Sequence, residues 1–375
     1  MNMPQLIWMG NEGYFYLTTY LKQKEIKKLF LVCDQAIAHL PLDHFFTQLE
    51  QLGITITRFN NFCVNPRYES IVGGVECFLQ SKSQAIIAIG GGSTIDVAKC
   101  IKLYSTMDSN TCYLEQKIIP NKIMLIAIPT TAGTGSEATR YAVIYQHGEK
   151  QSITHESCIP SVVILDPSLL KTLPDYQKKS AMMDALCHGI ESGWSIHSNV
   201  ESMEYSLSVI KKIMKWMPDY LEGNPEAANE MLTSANLAGK AINITQTTAS
   251  HAMSYKLTSL YGISHGHAVA ICLPHLWKYM RTHLKTKCID PRGYKHVEQS
   301  LIKLAEALGC PDTISVEQYL MNILRKLKLT APQSWKKEDI LILANSVNPV
   351  RLKNNPIMLD SQVLMELYGE ILLNT

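Results

Sequence analysis

The sequence predicts two parts of different fold class, an α/β part with a mostly parallel sheet and an all-α part. Three observations predict this division of the 375 residues. Short apolar runs alternate with helical segments in the first half, a glycine-rich turn follows one of those runs, and helical periodicity dominates after Pro174. We therefore expect an α/β domain over residues 1–174 and a helical domain over residues 175–375.

Five apolar, β-rich runs in the first half are predicted as strands. They lie at residues 29–33, 54–57, 85–89, 124–128 and 162–165. Helical spacing in residues 71–80 and 94–104 supplies connections between them. Apolar strands joined by crossover helices form parallel sheets that are covered on both faces, and ligands gather where such strands end.

The second half has the apolar spacing of amphipathic helices. In residues 205–220 one apolar stripe consists of Val209, Ile210, Ile213, Met214 and Met217. Further helical segments lie at residues 227–242, 268–283, 296–308 and 316–327. After Pro332 we expect short helices joined by loops.

Charge and composition exclude several classes of partner. Thirty-five basic residues against 33 acidic ones leave a formal net charge of +2, which gives no broad basic field for nucleic acid or an anionic membrane. No run is apolar for the ~18 residues that a membrane span needs, and the first residues lack the order of a signal peptide. We expect a cytoplasmic protein whose ten cysteines are free thiols.

Two loops at strand ends have the composition of a nucleotide site. The segment AIIAIGGGSTIDVAK places Gly90, Gly91, Gly92 and Ser93 between a strand and a helix, where backbone N–H groups can approach a pyrophosphate. A tight turn with Ser93 as a helix cap is the alternative. The second loop, PTTAGTGSE, follows the next strand. Asp34 ends the first strand and suits the ribose hydroxyls of NAD rather than the phosphate of NADP.

Four side chains suit a divalent cation. Asp184 and His188 are four residues apart in MMDALCHGIE and project from one helix face. His251 and His265 follow, fourteen residues apart. One carboxylate and three imidazoles would leave a coordination position for a substrate oxygen. On spacing alone, ordinary structural roles for each of these residues remain equally open.

Together these motifs resemble the iron-containing, group III alcohol dehydrogenases. The segments GGGSTIDVAK, PTTAGTGSEAT, DPSLLKTLP, DALCHGIES and SHGHAVAICLP follow the order and approximate spacing of that family. The resemblance implies a Rossmann-like NAD(H) domain, a helical metal domain and a homodimer or larger assembly. It also implies a metal held by Asp184, His188, His251 and His265, and cofactor contacts from Gly90, Gly91, Gly92, Ser93, Asp96, Thr130, Thr131 and Thr134.

The expected metal is Fe(II), although the same ligands bind Zn(II) more tightly. The expected reaction is hydride transfer between NAD(H) and an aldehyde or primary alcohol. One position departs from the family pattern, since Tyr255 stands where many members have a histidine that assists proton transfer. We expect Tyr255 to relay the proton or bind substrate. His267 could relay the proton instead, but a surface or helix-capping role is the favoured interpretation.

Two features favour an anionic aldehyde as substrate. Arg140 follows the second loop, and Thr247 and Thr248 precede His251, so their donors suit phosphonate or carboxylate oxygens. A salt bridge of Arg140 and helix capping by the threonines are the alternatives. The segments GTGSEATRYAVIY and SHAMSYKLTSLYGISHGHAVAICLP look most like phosphonoacetaldehyde reductases, which make 2-hydroxyethylphosphonate. A broad dehydrogenase for short primary alcohols is the second candidate, and a lyase like dehydroquinate synthase, which shares the architecture, is the third.

Overall fold

The computed structural model describes residues 5–373, which form two compact units. The first contains the chain up to Leu173 together with Gly223–Asn236, and the second contains Pro174–Glu222 with the chain from Leu237 onward. The predicted limits therefore need a correction, because residues 223–236 were assigned to the helical part. They group with the first unit, where Asn236 Nδ2 donates a hydrogen bond of 3.1 Å to Glu137 Oε1.

A six-stranded parallel sheet forms the centre of the first unit. Its strands are β1 (Leu6–Met9), β2 (Lys28–Cys33), β3 (Thr55–Phe59), β4 (Ala85–Gly90), β5 (Met124–Pro129) and, later in the chain, β8 (Val162–Leu165). Their order is β1-β8-β5-β4-β2-β3, and every neighbouring pair is parallel. The helices are α1 (Glu12–Gln23), α2 (Asp43–Gln51), α3 (Tyr68–Ser81) and α4 (Gly92–Tyr104). The predicted α/β class and parallel sheet are confirmed.

Both faces of the sheet are buried, which explains why its central strands are apolar throughout. In β4, Ile86 and Ala88 belong to one hydrophobic cluster, whereas Ala85, Ile87 and Ile89 belong to the other. Alternate residues of a strand point to opposite faces, so neither face is left for water.

Two features of this unit were missed in the sequence. Strand β1 has only four residues, two of them exposed, so it carries no apolar signal. A separate antiparallel hairpin pairs β6 (Tyr141–Gln146) with β7 (Glu149–Thr154). Its two-residue turn consists of His147 and Gly148, both at positive φ, and His-Gly is a weaker turn signal than Asn-Gly.

The second unit is helical, as predicted. Its principal helices are α5 (Asp175–Trp194), α6 (Val200–Leu221), α8 (Ala249–Tyr261), α9 (His265–Thr282), α11 (Tyr294–Leu308), α12 (Val316–Leu327), α13 (Lys337–Ser346) and α15 (Ser361–Leu373). Short helices α10 (Leu284–Lys287) and α14 (Pro349–Leu352) complete it, and α7 (Pro225–Thr245) ends in it. The predicted stripe of α6 is buried except for the half-buried Met214.

Two compositional expectations can be compared with this part of the chain. Over residues 5–373, no helix combines the length and the apolar character needed to cross a bilayer. All ten cysteines lie within these residues, and each is a free thiol.

Candidate metal and nucleotide sites

The structure brings the four predicted metal ligands together from three helices of the second unit. Asp184 and His188 lie one turn apart on α5, and His251 lies in the first turn of α8. Ligand atoms of these three residues are all within 4.8 Å of one another. His265 begins α9, and its Nε2 lies 3.8 Å from Asp184 Oδ1. The first three are at most 5% exposed, whereas the side chain of His265 is 38% exposed and borders the accessible side.

The chemistry of this cluster fits a divalent cation. Asp184 Oδ1 and His251 Nε2 lie 3.5 Å apart, and neither buried atom has a well-formed hydrogen bond within residues 5–373. Such atoms are costly to bury, and a bound cation would satisfy both. Burial alone would raise the pKa of Asp184, but His188, His265 and His251 hold it well below its ordinary value. The carboxylate therefore stays ionised, as a ligand must be.

A glycine permits the close approach that places His265 in the cluster. A Cβ added at Gly266 would lie 2.1 Å from the carbonyl oxygen of Ser180 and 2.8 Å from Asp184 Cβ. Ser180 Oγ on α5 accepts hydrogen bonds from Ser264 Oγ at 2.6 Å and from the backbone N–H of His267 at 3.0 Å. These two bonds hold the start of α9 against α5. Only glycine allows this contact between the two helices.

Glu191 is a site residue that the sequence analysis missed. It is fully buried on α5, and its carboxylate binds the Nδ1 of His251 as well as the N–H groups of Thr248 and Ser250, at 3.1 and 2.7 Å. The spacing of Asp184, His188 and Glu191 puts them on one helix face, which is the signal that could have found it. Glu191 therefore caps the start of α8 and orients the ring of a ligand histidine.

Glu191 and His251 stabilise each other's charged forms. Burial alone would raise the pKa of Glu191, but His251 and the backbone donors lower it from 4.5 to about 2. Burial would likewise lower the pKa of His251, whereas the Glu191 and Asp184 carboxylates raise it from 6.5 to about 9. With Nδ1 directed at Glu191, the Nε2 atom of His251 faces Asp184.

Tyr255 and His267 have different surroundings. The ring of Tyr255 stacks on His265 with centroids 5.8 Å apart and planes 3° from parallel. The expectation for His267 is wrong, because it is 6% exposed and is neither a surface residue nor a cap. Its Nδ1 lies 3.0 Å from Tyr176 Oη and its Nε2 lies 2.9 Å from the carbonyl oxygen of Thr330. Burial lowers its pKa, so His267 is a neutral structural bridge.

In the first unit, the structure packs the two predicted nucleotide loops against each other. Strands β4 and β5 are neighbours, and the N–H of Thr130 donates to Gly90 O at 3.1 Å. A Cβ added at Gly92 would lie 2.8 Å from Thr134 Cγ2, and one added at Gly91 would lie 3.4 Å from Thr131 Cγ2. Helix α4 begins at Gly92, two residues before the predicted start. The backbone N–H groups of its first turn, which have no partner within the helix, therefore lie in the glycine turn.

Three other predicted cofactor residues have protein partners. Asp34 Oδ1 accepts from the N–H of Ala36 at 2.9 Å and caps a short 3₁₀ helix at the end of β2. Ser93 Oγ accepts a long hydrogen bond of 3.4 Å from the N–H of Asn65. Asp96 accepts hydrogen bonds from Ser136 Oγ and the N–H of Val143, at 2.7 and 2.9 Å. Each oxygen of Asp96 thus accepts one hydrogen bond, which connects α4 to the second loop and to β6, and the cofactor contact of Asp96 stays a prediction.

Lys99 also shapes the second loop and was not identified in the sequence. It is completely buried on α4, and its Nζ donates to the carbonyl oxygens of Ser136, Thr139 and Tyr141 at 2.7, 2.8 and 2.6 Å. Burial lowers its pKa. A lysine on an otherwise buried helix face, three residues after Asp96, is the signal that marks it.

The predicted substrate residues require corrections. Arg140 Nη1 lies 3.0 Å from Glu156 Oε1, so the salt bridge weighed as an alternative is present. Thr248 is 1% exposed, and its hydroxyl accepts from Trp194 Nε1 at 2.8 Å, which leaves it no role toward substrate. Thr247 is half-buried and lies in the chain between the exposed Gln246 and the buried Thr248.

Comparisons with known proteins identify the family of this chain. The protein-family model for "Iron-containing alcohol dehydrogenase" matches residues 4–167, and the one for "Fe-containing alcohol dehydrogenase family, C-terminal" matches residues 179–372. A phosphonoacetaldehyde reductase of Streptomyces viridochromogenes is 32% identical over 77% of this chain and 76% of its own length. Alcohol dehydrogenase 4 of Saccharomyces cerevisiae is 29% identical over 91% of this chain and 90% of its own length.

Solved structures show the same fold. The iron-containing alcohol dehydrogenase of Thermococcus thioreducens has a TM-score of 0.89 at 21% identity, and the superposition covers 100% of this chain and 100% of that one. Sulfoacetaldehyde reductase of Bifidobacterium kashiwanohense, in complex with NAD+, has a TM-score of 0.88 at 23% identity over 100% of this chain and 98% of that one. The chain belongs to the iron-containing alcohol dehydrogenase family and is an NAD-dependent oxidoreductase that interconverts aldehydes and alcohols.

Proposed function

We propose that this enzyme reduces phosphonoacetaldehyde to 2-hydroxyethylphosphonate with NADH, using a metal held by Asp184, His188, His251 and His265. The observation that carries the metal-dependent chemistry is the convergence of the buried ligand atoms within 4.8 Å. The substrate is supported by the relative named phosphonoacetaldehyde reductase, which is 32% identical to this chain. The choice of substrate is thus a narrower proposal than the reaction class.

The bound groups and the protein have separate tasks in this reaction. When bound, a divalent cation such as Fe(II) or Zn(II) would act as a Lewis acid toward the carbonyl oxygen, and NADH would be the hydride donor. Asp184 contributes the one negative charge among the four ligands. Glu191 keeps the His251 ring turned so that Nε2 is available. His265, the most exposed ligand, lies on the side from which the aldehyde enters.

The nucleotide contacts proposed here come from the two packed loops. The backbone N–H groups at Gly91, Gly92 and Ser93 start helix α4 and suit the pyrophosphate of NAD(H). Contacts from the second loop are proposed for Thr130, Thr131 and Thr134. We also keep Asp34 as the partner of the ribose hydroxyls, because it directly follows β2, which pairs with β4, at the carboxyl edge of the sheet.

Proton transfer is assigned to Tyr255. Reduction leaves an oxygen that must take up one proton, and the phenol of Tyr255 belongs to the ring stacked on His265. We propose that Tyr255 Oη donates that proton and is reprotonated from solvent. His267 is unsuited to this task because both ring nitrogens already have partners.

A broad dehydrogenase for short neutral alcohols is the alternative, and one observation favours it. The arginine first expected to bind the anion, Arg140, is neutralised by Glu156. The lyase alternative has no such support, because both matching family models describe alcohol dehydrogenases.

Parallel assays of NADH consumption test the substrate. Enzyme loaded anaerobically with Fe(II) is given phosphonoacetaldehyde, glycolaldehyde, lactaldehyde and butyraldehyde. We expect kcat/KM for the phosphonate to exceed that of each neutral aldehyde by at least about tenfold, the scale of one charge-assisted hydrogen bond. Equal efficiency with butyraldehyde would establish the broad dehydrogenase instead.

A further inference from the structure

We propose that Arg351 forms an anion-binding subsite beside the metal cluster and takes the phosphonate group of the substrate. This inference rests on the proposed function, and it moves the charge recognition from Arg140 to a residue that no motif identified. Phosphonate and sulfonate groups are both tetrahedral oxyanions, so a sulfonate is the alternative ligand for this subsite.

Stacked side chains connect Arg351 to a metal ligand. The guanidinium carbon of Arg351, on the short helix α14, lies 5.7 Å from the centroid of the Tyr255 ring. That ring in turn lies 5.8 Å from the ring of His265. The ring of Tyr255 thus connects the positive charge of Arg351 to His265, the most exposed of the four proposed ligands.

Residues 5–373 supply no ion pair to Arg351. Among residues 5–373, no carboxylate lies within 4.0 Å of its guanidinium, and the structure gives it no hydrogen bond to another side chain. Arg140 and Arg292 differ in this respect, since they pair with Glu156 at 3.0 Å and Asp290 at 2.7 Å. The planar fork of Arg351 is therefore available for two oxygens of one oxyanion.

Neighbouring hydrogen bonds hold the chain after Arg351 in place. Asn354 Nδ2 donates to Gln246 Oε1 at 3.0 Å and to Thr247 O at 3.2 Å. The carbonyl oxygen of Asn354 accepts from the N–H of Ile196 at 3.1 Å. This segment is thereby attached to the loop that carries Thr247, whose hydroxyl is a second donor for the same anion. A positioned arginine loses little entropy when it binds a ligand.

The length of the substrate limits where its anion can bind. In phosphonoacetaldehyde a single methylene separates the phosphonate from the carbonyl carbon. The proposal places the carbonyl oxygen at the metal cluster and the phosphonate oxygens toward the guanidinium of Arg351. A neutral aldehyde of the same length gains nothing from the guanidinium.

Substrate selectivity of the metal-loaded enzyme tests the subsite. The variants are R351Q, which removes the charge, R351K, which keeps the charge but loses the fork, and R140Q. The control is R325Q, because Arg325 is exposed on α12, where its Nη1 donates to Asn322 Oδ1 at 3.2 Å. Each is assayed with phosphonoacetaldehyde, sulfoacetaldehyde and butyraldehyde, and 2-hydroxyethylphosphonate binding is measured calorimetrically. Metal content and thermal unfolding show whether each variant is folded.

We expect R351Q to lower the ratio of kcat/KM for phosphonoacetaldehyde to that for butyraldehyde about 10- to 100-fold, through KM, and to weaken product binding equally. R351K should lie between, and R325Q should match the wild type. A wild-type ratio near one overturns the proposed substrate. A high wild-type ratio that survives R351Q, or that falls in R140Q instead, overturns the subsite alone. A higher wild-type ratio with the sulfonate would overturn the assignment to phosphonate.

Discussion

At the scale of single residues, the proposed metal site depends on a carboxylate that is not one of the proposed ligands. Glu191 binds His251 Nδ1, and its four remaining contacts at the start of α8 are three backbone N–H donors and the hydroxyl of Thr248. Removing its charge leaves the ring of His251 free to turn and makes Nε2 less basic. The metal-binding strength of the cluster should therefore depend on Glu191.

The substitution E191Q tests this dependence without changing the size of the side chain. We expect about a 10- to 100-fold loss of affinity for Co(II) or Zn(II), measured by competition with a chromophoric chelator, and altered Co(II) absorption bands. The control is E201Q, since Glu201 accepts a hydrogen bond from Tyr205 on the exposed side of α6. Wild-type metal affinity in E191Q would show that the hydrogen bond has no such role.

Residue identity and spacing could predict only part of the site. Asp184 and His188 follow from the i, i+4 spacing, whereas the meeting of His251 and His265 with them depends on helix packing and entered through the family resemblance. The sequence could not show that Arg140 is paired, because its partner Glu156 is sixteen residues away and no local pattern connects the two. Arg351 escaped notice because only its stacking on Tyr255 connects it to the cluster.

At the scale of elements, the close contact of α9 with α5 determines whether His265 reaches the cluster. The carbonyl oxygen of Ser180 is backbone and cannot move aside for a Cβ at Gly266. We expect G266A to lower the free energy of unfolding by about 1–3 kcal/mol and to reduce metal affinity.

Thermal unfolding and metal titration of G266A check this expectation. The matched control is G369A in α15, where the nearest atom to an added Cβ is 3.9 Å away, so this variant should be as stable as the wild type or more stable. If G266A and G369A behave alike, the contact between α9 and α5 does not position His265.

Elements were predicted where apolar patterning is strong. The five predicted strands belong to the parallel sheet because both faces are buried and leave an uninterrupted apolar run. Strand β7 (EKQSIT) has one buried residue, and β1 has none, so tertiary pairing rather than local pattern creates them.

At the scale of the whole molecule, the near-neutral charge of +2 argues against polymeric anions but is compatible with one arginine that binds a small one. The two compact units contain different chemistry: the glycine and threonine loops belong to the first, and the metal ligands with Glu191 belong to the second. Metal binding and nucleotide binding should therefore respond independently to mutation.

The measurement that tests the central claim most directly is metal content together with NADH binding in D184A, with D175A as the control on the same helix. Asp175 is exposed at the start of α5, where it pairs with Lys179. We predict that D184A retains almost no Fe(II) or Zn(II) and has no measurable turnover, yet binds NADH within about twofold of the wild type by fluorescence, whereas D175A keeps all three properties. A full metal complement in D184A would contradict the assignment of this cluster as the metal site.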